Sequence, residues 1–160
     1  MIIVDTNVVS ELMKSSPSEP VIEWVRAQTG SELFTTWITL AEILYGIVRL
    51  PDGRRKQLLR TTATEVFATF EDQVLPFDSS AAAHYADVVG GRNQLGLPID
   101  GFDAQIASIC RAHGAALATR NLKDFRDTEV NLIDPWQRPA PTSADASSGS
   151  PGQRSGHLGD

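Results

Sequence analysis

Short apolar runs alternate along the chain with longer stretches in which apolar side chains recur every three or four residues. Ile2-Ile3-Val4 is uninterrupted and β-branched, as in a strand buried on both faces of a parallel sheet. Asp5 or Thr6 can cap a helix through about Lys14. Ser18 before Glu19-Pro20 opens a second helix carrying Val21, Ile22, Trp24 and Val25, which Gly30 stops. Leu33-Phe34-Thr35-Thr36-Trp37 predicts the second strand. Thr39, with Glu42 three residues later, caps a helix whose apolar stripe is Leu40, Ile43, Leu44, Ile47 and Val48. A long helix is expected over 54–72 and a third strand at Val74-Leu75-Pro76-Phe77. Asp78 caps a helix through about Val89, and Gly90-Gly91 and Gly96 break the pattern. Pro98 opens a helix over 99–112, with Ile99, Phe102, Ile106 and Ile109 on one face and Gly114 at its end. Residues 115–119 and 130–133 read as the fourth and fifth strands. Strands separated by helices predict an α/β fold, a mostly parallel central sheet of four to five strands with helices on both faces. Ligands of such sheets gather at the carboxyl ends of the strands.

The pattern stops at Pro139. Three Pro, four Gly and five Ser fall among the 22 residues from there to Asp160, with Leu158 the one large aliphatic residue. That composition buries too little apolar surface to offset its ordering entropy, so 139–160 is expected to be a disordered tail on a domain of 1–138. A 160-residue chain, 41% hydrophobic, needs no disulfide or structural metal to fold. Its single cysteine, Cys110, reads as a small buried hydrophobe. No run is long enough to span a membrane, and Met1-Ile2-Ile3-Val4-Asp5 is not a signal peptide, so the expected compartment is the cytoplasm.

Twenty Asp and Glu against fourteen Lys and Arg give a net charge of −6. That balance excludes a protein holding nucleic acid mainly by broad charge neutralisation. A nucleic acid gripped through a bound metal stays open. There is no nucleophile elbow, P-loop or dinucleotide fingerprint. His84, His113 and the tail's His157 suit no zinc site, and His84 and His113 are expected near helix surfaces.

The acids are better placed. Asp5 follows the first strand and Asp124 lies in the loop after the fourth, both at the sheet's carboxyl edge. Glu42 falls early in the helix after the second strand, and Asp103 early in the helix before the fourth. Singly, each has a structural reading: Asp5 and Asp100 as helix caps, Glu42 as half of a capping box, Asp124 as a turn residue. Together, carboxylates on one edge repel one another unless a cation neutralises them. Oxygen donors without His or Cys select Mg²⁺ or Mn²⁺.

Met1-Ile-Ile-Val-Asp-Thr-Asn7, Thr39-Leu-Ala-Glu-Ile-Leu-Tyr-Gly46, Asp103-Ala-Gln-Ile-Ala107 and Ala118-Thr-Arg-Asn-Leu-Lys-Asp-Phe125 resemble the four acidic motifs of PIN-domain ribonucleases. More narrowly they resemble the VapC and FitB toxins of bacterial toxin–antitoxin pairs. The resemblance covers essentially all of 1–136. It implies a PIN-like fold and a Mg²⁺- or Mn²⁺-dependent endoribonuclease. Asp5 and Asp103 would be the firmest metal ligands, with Glu42 completing the acidic pocket and Asp124 binding a second metal or its waters. Thr6, Asn7, Thr119 and Asn121 match positions that orient acids, waters or the scissile phosphate. Asp100 is an additional acid beside the third motif. The resemblance also implies a homodimer and a small cognate antitoxin covering the acidic pocket.

Water activated by a metal does not need the ribose 2′-hydroxyl as nucleophile, so a 3′-hydroxyl and a 5′-phosphate are the expected products. Arg120 and Lys123 flank the expected pocket and are candidates to hold the RNA substrate. Arg49, Arg54, Arg55, Lys56, Arg60 and Arg92 are further cations, the 54–60 group reading equally as a solvated helix face. Trp24, Trp37 and Tyr45 are expected in the core, with antitoxin contact as the other reading. Three other functions share parts of the pattern, one of them a phosphoacceptor receiver domain, which wants paired acids near the first strand and a lysine after the last. A Mg²⁺-dependent phosphohydrolase of the haloacid dehalogenase type wants an acid at position 7, where Asn stands; a non-catalytic partner-binding domain would keep only the fold.

Overall fold

Five strands, β1 (Ile2–Val4), β2 (Leu33–Thr36), β3 (Val74–Leu75), β4 (Ala116–Ala118) and β5 (Leu132–Ile133), form one sheet in the order β3-β2-β1-β4-β5. Every neighbouring pair is parallel. The structure, a computed structural model, describes residues 1–138. The tail expected over 139–160 lies outside the described residues. The connecting helices are α1 (Thr6–Leu12), α2 (Glu19–Ala27), α3 (Trp37–Val48), α4 (Arg54–Ala68), α5 (Ser79–Gln94), α6 (Gly101–His113) and α7 (Leu122–Phe125).

The pleat sends alternate residues of the central strands to opposite faces. Ile3 and Leu117 join a core built with Ala104, Ile106, Ile109 and Cys110 of α6 and Ala81 and Val88 of α5. Val4 and Ala118 join the opposite core, with Val8 and Val9 of α1, Val21 of α2, Ile43 and Ile47 of α3, and Ala63 and Phe67 of α4. Helices therefore cover both faces, and Cys110 is fully buried. Burial pushes its thiol pKa far up, which leaves it an inert packing residue.

The chain winds from β1 outward through β2 to β3, then returns to lay β4 against the other side of β1. The winding reverses between β1 and β4, and a doubly wound sheet opens a crevice at the carboxyl ends of such a pair. Val4 is in register with Ala118, so Asp5 and Thr119 leave the sheet side by side. The Asp5 N–H donates to the Ala118 carbonyl at 2.9 Å.

Several boundaries differ from the sequence reading. β2 ends at Thr36, which is extended and caps α3, its Oγ1 accepting from the Thr39 N–H at 3.0 Å. Thr39 is thus inside the helix and fully buried, and Glu42 belongs to the second turn, not to a capping box. α4 ends at Ala68, and Glu71 takes a positive φ of 47° before β3. α5 runs through Gly90 and Gly91 to Gln94. Buried Arg92 anchors its last turn, donating to the carbonyls of Leu97 and Arg126 at 2.7 Å. That removes Arg92 from the cations available to a substrate. α6 starts at Gly101, capped by the Asp100 side chain, which accepts from the Phe102 N–H at 2.9 Å. It ends on Gly114 at φ 60°, a left-handed position that glycine occupies without a Cβ clash. Phe102 is exposed and does not share the burial of Ile106 and Ile109.

Trp37 and Tyr45 are not core aromatics. They are 51% and 60% exposed, and with Leu44 and Val48 they make an apolar stripe along α3. Trp24 is half-buried against α2's own core. His113 is exposed and His84 half-buried.

Candidate active site

Asp5, Glu42 and Asp103 line one pocket of about 400 Å³ at the carboxyl edge of the sheet, together with Thr6, Asn7, Arg120 and Asn121. Each acid arrives from a separate element: Asp5 from the end of β1, Glu42 from α3, Asp103 from the first turn of α6. Helices of a parallel sheet start at the edge where strands end, so one edge collects them all.

Asp5 is 2% exposed, and its Oδ2 accepts from Thr119 Oγ1 at 2.8 Å and from Asn7 Nδ2 at 3.0 Å. Asn7 Nδ2 also reaches Thr119 Oγ1 at 3.1 Å, and that hydroxyl oxygen accepts from the Asn121 N–H at 3.0 Å. Asn7 Oδ1 accepts from the Arg120 N–H at 3.0 Å. Residues 5–7 and 119–121, over a hundred positions apart in sequence, thus form one hydrogen-bonded unit. Thr6 turns the other way, its hydroxyl donating to Glu42 Oε1 at 3.1 Å.

The carboxylates share a negative field. Asp103 is pushed up to about 7, first by burial and then by the charges of Asp5, Glu42, Asp100 and Asp124. Burial also raises Asp5, against the bonds from Thr119, Thr6 and Asn7 that favour its charged form. Glu42 is raised by burial and by Asp5 and Asp100. Such shifts in a cleft mark a functional site. As the side chains stand, no three His, Cys, Asp or Glu among the described residues converge on a single metal position.

Asp124 is not brought into the pocket wall. It lies exposed in α7, and only its charge reaches Asp5 and Asp103. Asp100 caps α6 and acts on Asp103 and Glu42 through its charge alone. Lys123 is exposed beside Asp124. The cations at 54–60 are on α4 and outside the pocket wall, with Lys56 engaged by Asp52 at 2.9 Å.

Sequence reasoning missed Ser10, Glu11, Lys14 and Trp136, which complete the wall. Ser10 and Glu11 follow Asn7 at helical spacing of three and four, a signal that reading α1 as a face would have found, and Lys14 lies just past the helix end. Glu11 is buried, its carboxylate pKa lowered by the Lys14 ammonium at 2.7 Å and the Ser18 N–H at 2.7 Å. Trp136 follows the last strand at the same edge as Asp5. An apolar groove of about 320 Å³ runs on from the pocket, sharing Thr6, Ser10, Lys14 and Glu42 and walled by Met13, Ile43, Ile47, Leu50 and Leu59.

A PIN domain profile matches residues 2–131. The chain is 36% identical over 138 residues to the VapC ribonuclease Y4jK of Sinorhizobium fredii, covering 86% of this chain and 99% of that protein. It is 31% identical over 137 residues to Toxin FitB of Neisseria gonorrhoeae, covering 85% and 99%. The crystal structure of FitAcB from Neisseria gonorrhoeae superposes with a TM-score of 0.79 at 31% identity, over 86% of this chain and 100% of that one. Parallel sheet, acids gathered at its switch point, and similarity along nearly the whole described length agree: the chain belongs to the PIN-domain family.

Proposed function

We infer that this chain is a ribonuclease, the toxin of a toxin–antitoxin pair, cutting RNA phosphodiesters at the acidic pocket with a divalent cation. The observation that carries the reading is the convergence of Asp5, Glu42 and Asp103 on one pocket, with Asp103 pushed up to about 7. The names VapC ribonuclease and Toxin FitB among its relatives support the same activity.

The residues suit a hard divalent cation. Their donors are all oxygen, and among the described residues no cation is paired to these acids to compensate the negative charge that raises Asp103. We take the ion to be Mg²⁺ or Mn²⁺, held first by Asp5 and Asp103, then by Glu42, with Asp124 serving a second ion or its waters. Bound there, the ion would neutralise phosphoryl charge and acidify a coordinated water. The chain's own residues do the orienting. Thr119 and Asn7 hold Asp5 by one oxygen, Thr6 steers Glu42, and Asn121 supports Thr119 through its backbone. Arg120 at the rim offers a charge to the RNA backbone.

Residues 1–138 form the nuclease unit in this reading, since about that length accounts for nearly all of each relative, and 139–160 stand outside it. The partner is a small antitoxin, a reading that the name Toxin FitB of a 31% identical relative supports, and the apolar groove beside the acids is suited to an antitoxin segment. The α3 stripe is assigned to self-association as a homodimer. Among the described residues no helix is long and apolar enough to cross a membrane. The working compartment proposed is the cytoplasm, where the RNA is. The phosphohydrolase alternative finds less support, because the Asn7 amide is fully engaged with Asp5, Thr119 and Arg120 and supplies no acid.

The test is cleavage of end-labelled RNA with Mg²⁺, with Mn²⁺ and with chelator. Cutting only with a divalent ion, leaving 3′-hydroxyl and 5′-phosphate ends, is expected. Cutting in chelator, or a 2′,3′-cyclic phosphate, overturns the metal assignment, and unchanged cutting by Asp5→Asn or Asp103→Asn overturns the site.

A further inference from the structure

Trp136 stands in the wall of the acidic pocket, and nothing in the reaction above uses it. The guanidinium carbon of Arg120 lies over its ring, 5.1 Å from the centroid. Both partners are tied down. Trp136 follows buried Pro135, donates its backbone N–H to Asp134 Oδ1 at 2.9 Å, and packs in part against the core around Val4 and Ala118. The Arg120 backbone N–H is bound to Asn7, which itself bonds Asp5, so one side chain links the cation–ring pair to the central carboxylate.

The pairing is unexpected on charge alone. Asp5, Glu11, Glu42 and Asp103 line the same pocket, yet Arg120 makes no ion pair among the described residues and lies on an aromatic ring instead. Its side chain is exposed, so the side turned away from the indole is open to a ligand. A guanidinium on an aromatic ring is a flat cation with a free face. Single-stranded RNA is commonly held by stacking its unpaired bases on such planes.

We propose that Arg120, held over the ring of Trp136, seats an unpaired base of the RNA substrate beside the acidic pocket, and that Trp136 is its positioning residue. The proposal rests on the ribonuclease reading and adds to it how the substrate is registered. Stacking needs a plane and not only a charge, so lysine cannot replace Arg120. It also requires the nucleotide next to the cut to be unpaired, which selects loops over duplexes.

Cleavage kinetics on a single-stranded oligonucleotide test it, with substrates made abasic at each position flanking the cut in turn. Trp136→Leu and Arg120→Lys are expected to raise KM roughly tenfold with kcat within about twofold, and Trp136→Phe to restore KM. One abasic position is expected to raise the wild-type KM by the same factor and leave that of Trp136→Leu unchanged. Wild-type KM in Trp136→Leu overturns the seat. So does an equal further loss on the abasic substrate, full activity in Arg120→Lys, or a loss confined to kcat and melting temperature that Trp136→Phe does not rescue. Unchanged RNA kinetics with weakened antitoxin inhibition overturns it in favour of a protein ligand. If the wild-type chain cuts no RNA with Mg²⁺ or Mn²⁺, the ribonuclease reading itself fails, and binding then judges the seat. Tryptophan fluorescence quenched by the oligonucleotide, and insensitive to it in Trp136→Phe, sustains the seat; no quenching overturns it as well.

Discussion

Asp103 carries the clearest consequence of crowding acids at one edge. Its folded-state pKa of about 7 lies above the ordinary carboxylate value of about 3.9, so the unfolded chain releases this proton first. The stability it contributes is full below about pH 4 and is lost as pH rises through about 7. Asp103→Asn removes that loss. In chelator, the melting temperature of the variant minus that of wild type should be near zero at pH 4 and level off above pH 7. Its plateau should be roughly 2–6 °C, corresponding to about 1–2 kcal/mol once solvent screening of a partly exposed group is allowed for. Mg²⁺ should raise the wild-type melting temperature at pH 8 and leave the variant's nearly unchanged, while cleavage by the variant falls to background. A variant that melts lower than wild type at pH 8 would contradict the assignment. Thr119 offers a second test. It holds Asp5 from the neighbouring strand end, and Thr119→Val keeps its shape while removing the donor. Cleavage should drop roughly 10–100-fold, as for outer partners of a metal ligand. Circular dichroism should remain that of the wild type, separating lost orientation from lost fold.

Helix caps were only partly legible in sequence. The sequence pattern puts the cap at Thr39, because Glu42 follows at capping-box spacing, and leaves Thr36 within the strand. The structure uses Thr36, because β2 reaches its last ladder contact with β3 there and the backbone is still extended. The glycines of α5 misled for a related reason. Gly90-Gly91 weakens a helix by propensity alone, but α5 packs extensively on α6 and is pinned by buried Arg92, and tertiary packing outweighs propensity. Asp100, by contrast, reads as a cap and is one. Asp100→Ala should lower stability by about 1 kcal/mol, or roughly 2–4 °C, whereas Asp100→Asn keeps a capping oxygen and should melt within about a degree of wild type. Removing its charge should also ease the crowding on Asp103 and lower that group's titration midpoint, which NMR titration can follow. Equal melting losses in both variants would show that the charge, not the cap, is what matters at position 100.

Among the described residues an apolar face of α3 is left uncovered, and it is a face that sequence reasoning buried. On α3 the buried residues Ile43 and Ile47 alternate with Leu44, Tyr45 and Val48, so almost the whole circumference is apolar and only packing decides which stripe faces inward. The outward stripe is the expected self-association surface. Leu44→Glu should convert a dimer into a monomer in light scattering with no loss of melting temperature beyond that of dissociation, because Leu44 is not part of either core. A dimer that survives this change places the interface elsewhere.

The alternation of apolar runs and amphipathic stretches determined that the protein is α/β with a parallel sheet, and the motifs around Asp5, Glu42 and Asp103 marked the acids that share its pocket. Those features are local: period, cap and spacing follow from which neighbours a backbone segment can satisfy. Trp136, Glu11 and Lys14 in the pocket wall, the sequestered Arg92, the exposed Trp37 and Tyr45, and Asp124 outside the wall came from tertiary structure. Each depends on which residues distant in sequence meet when β4 returns to pair with β1, and on which helix face the sheet covers. Those are properties of long-range packing, where no local pattern discriminates one apolar stripe from another or one rim residue from its neighbour.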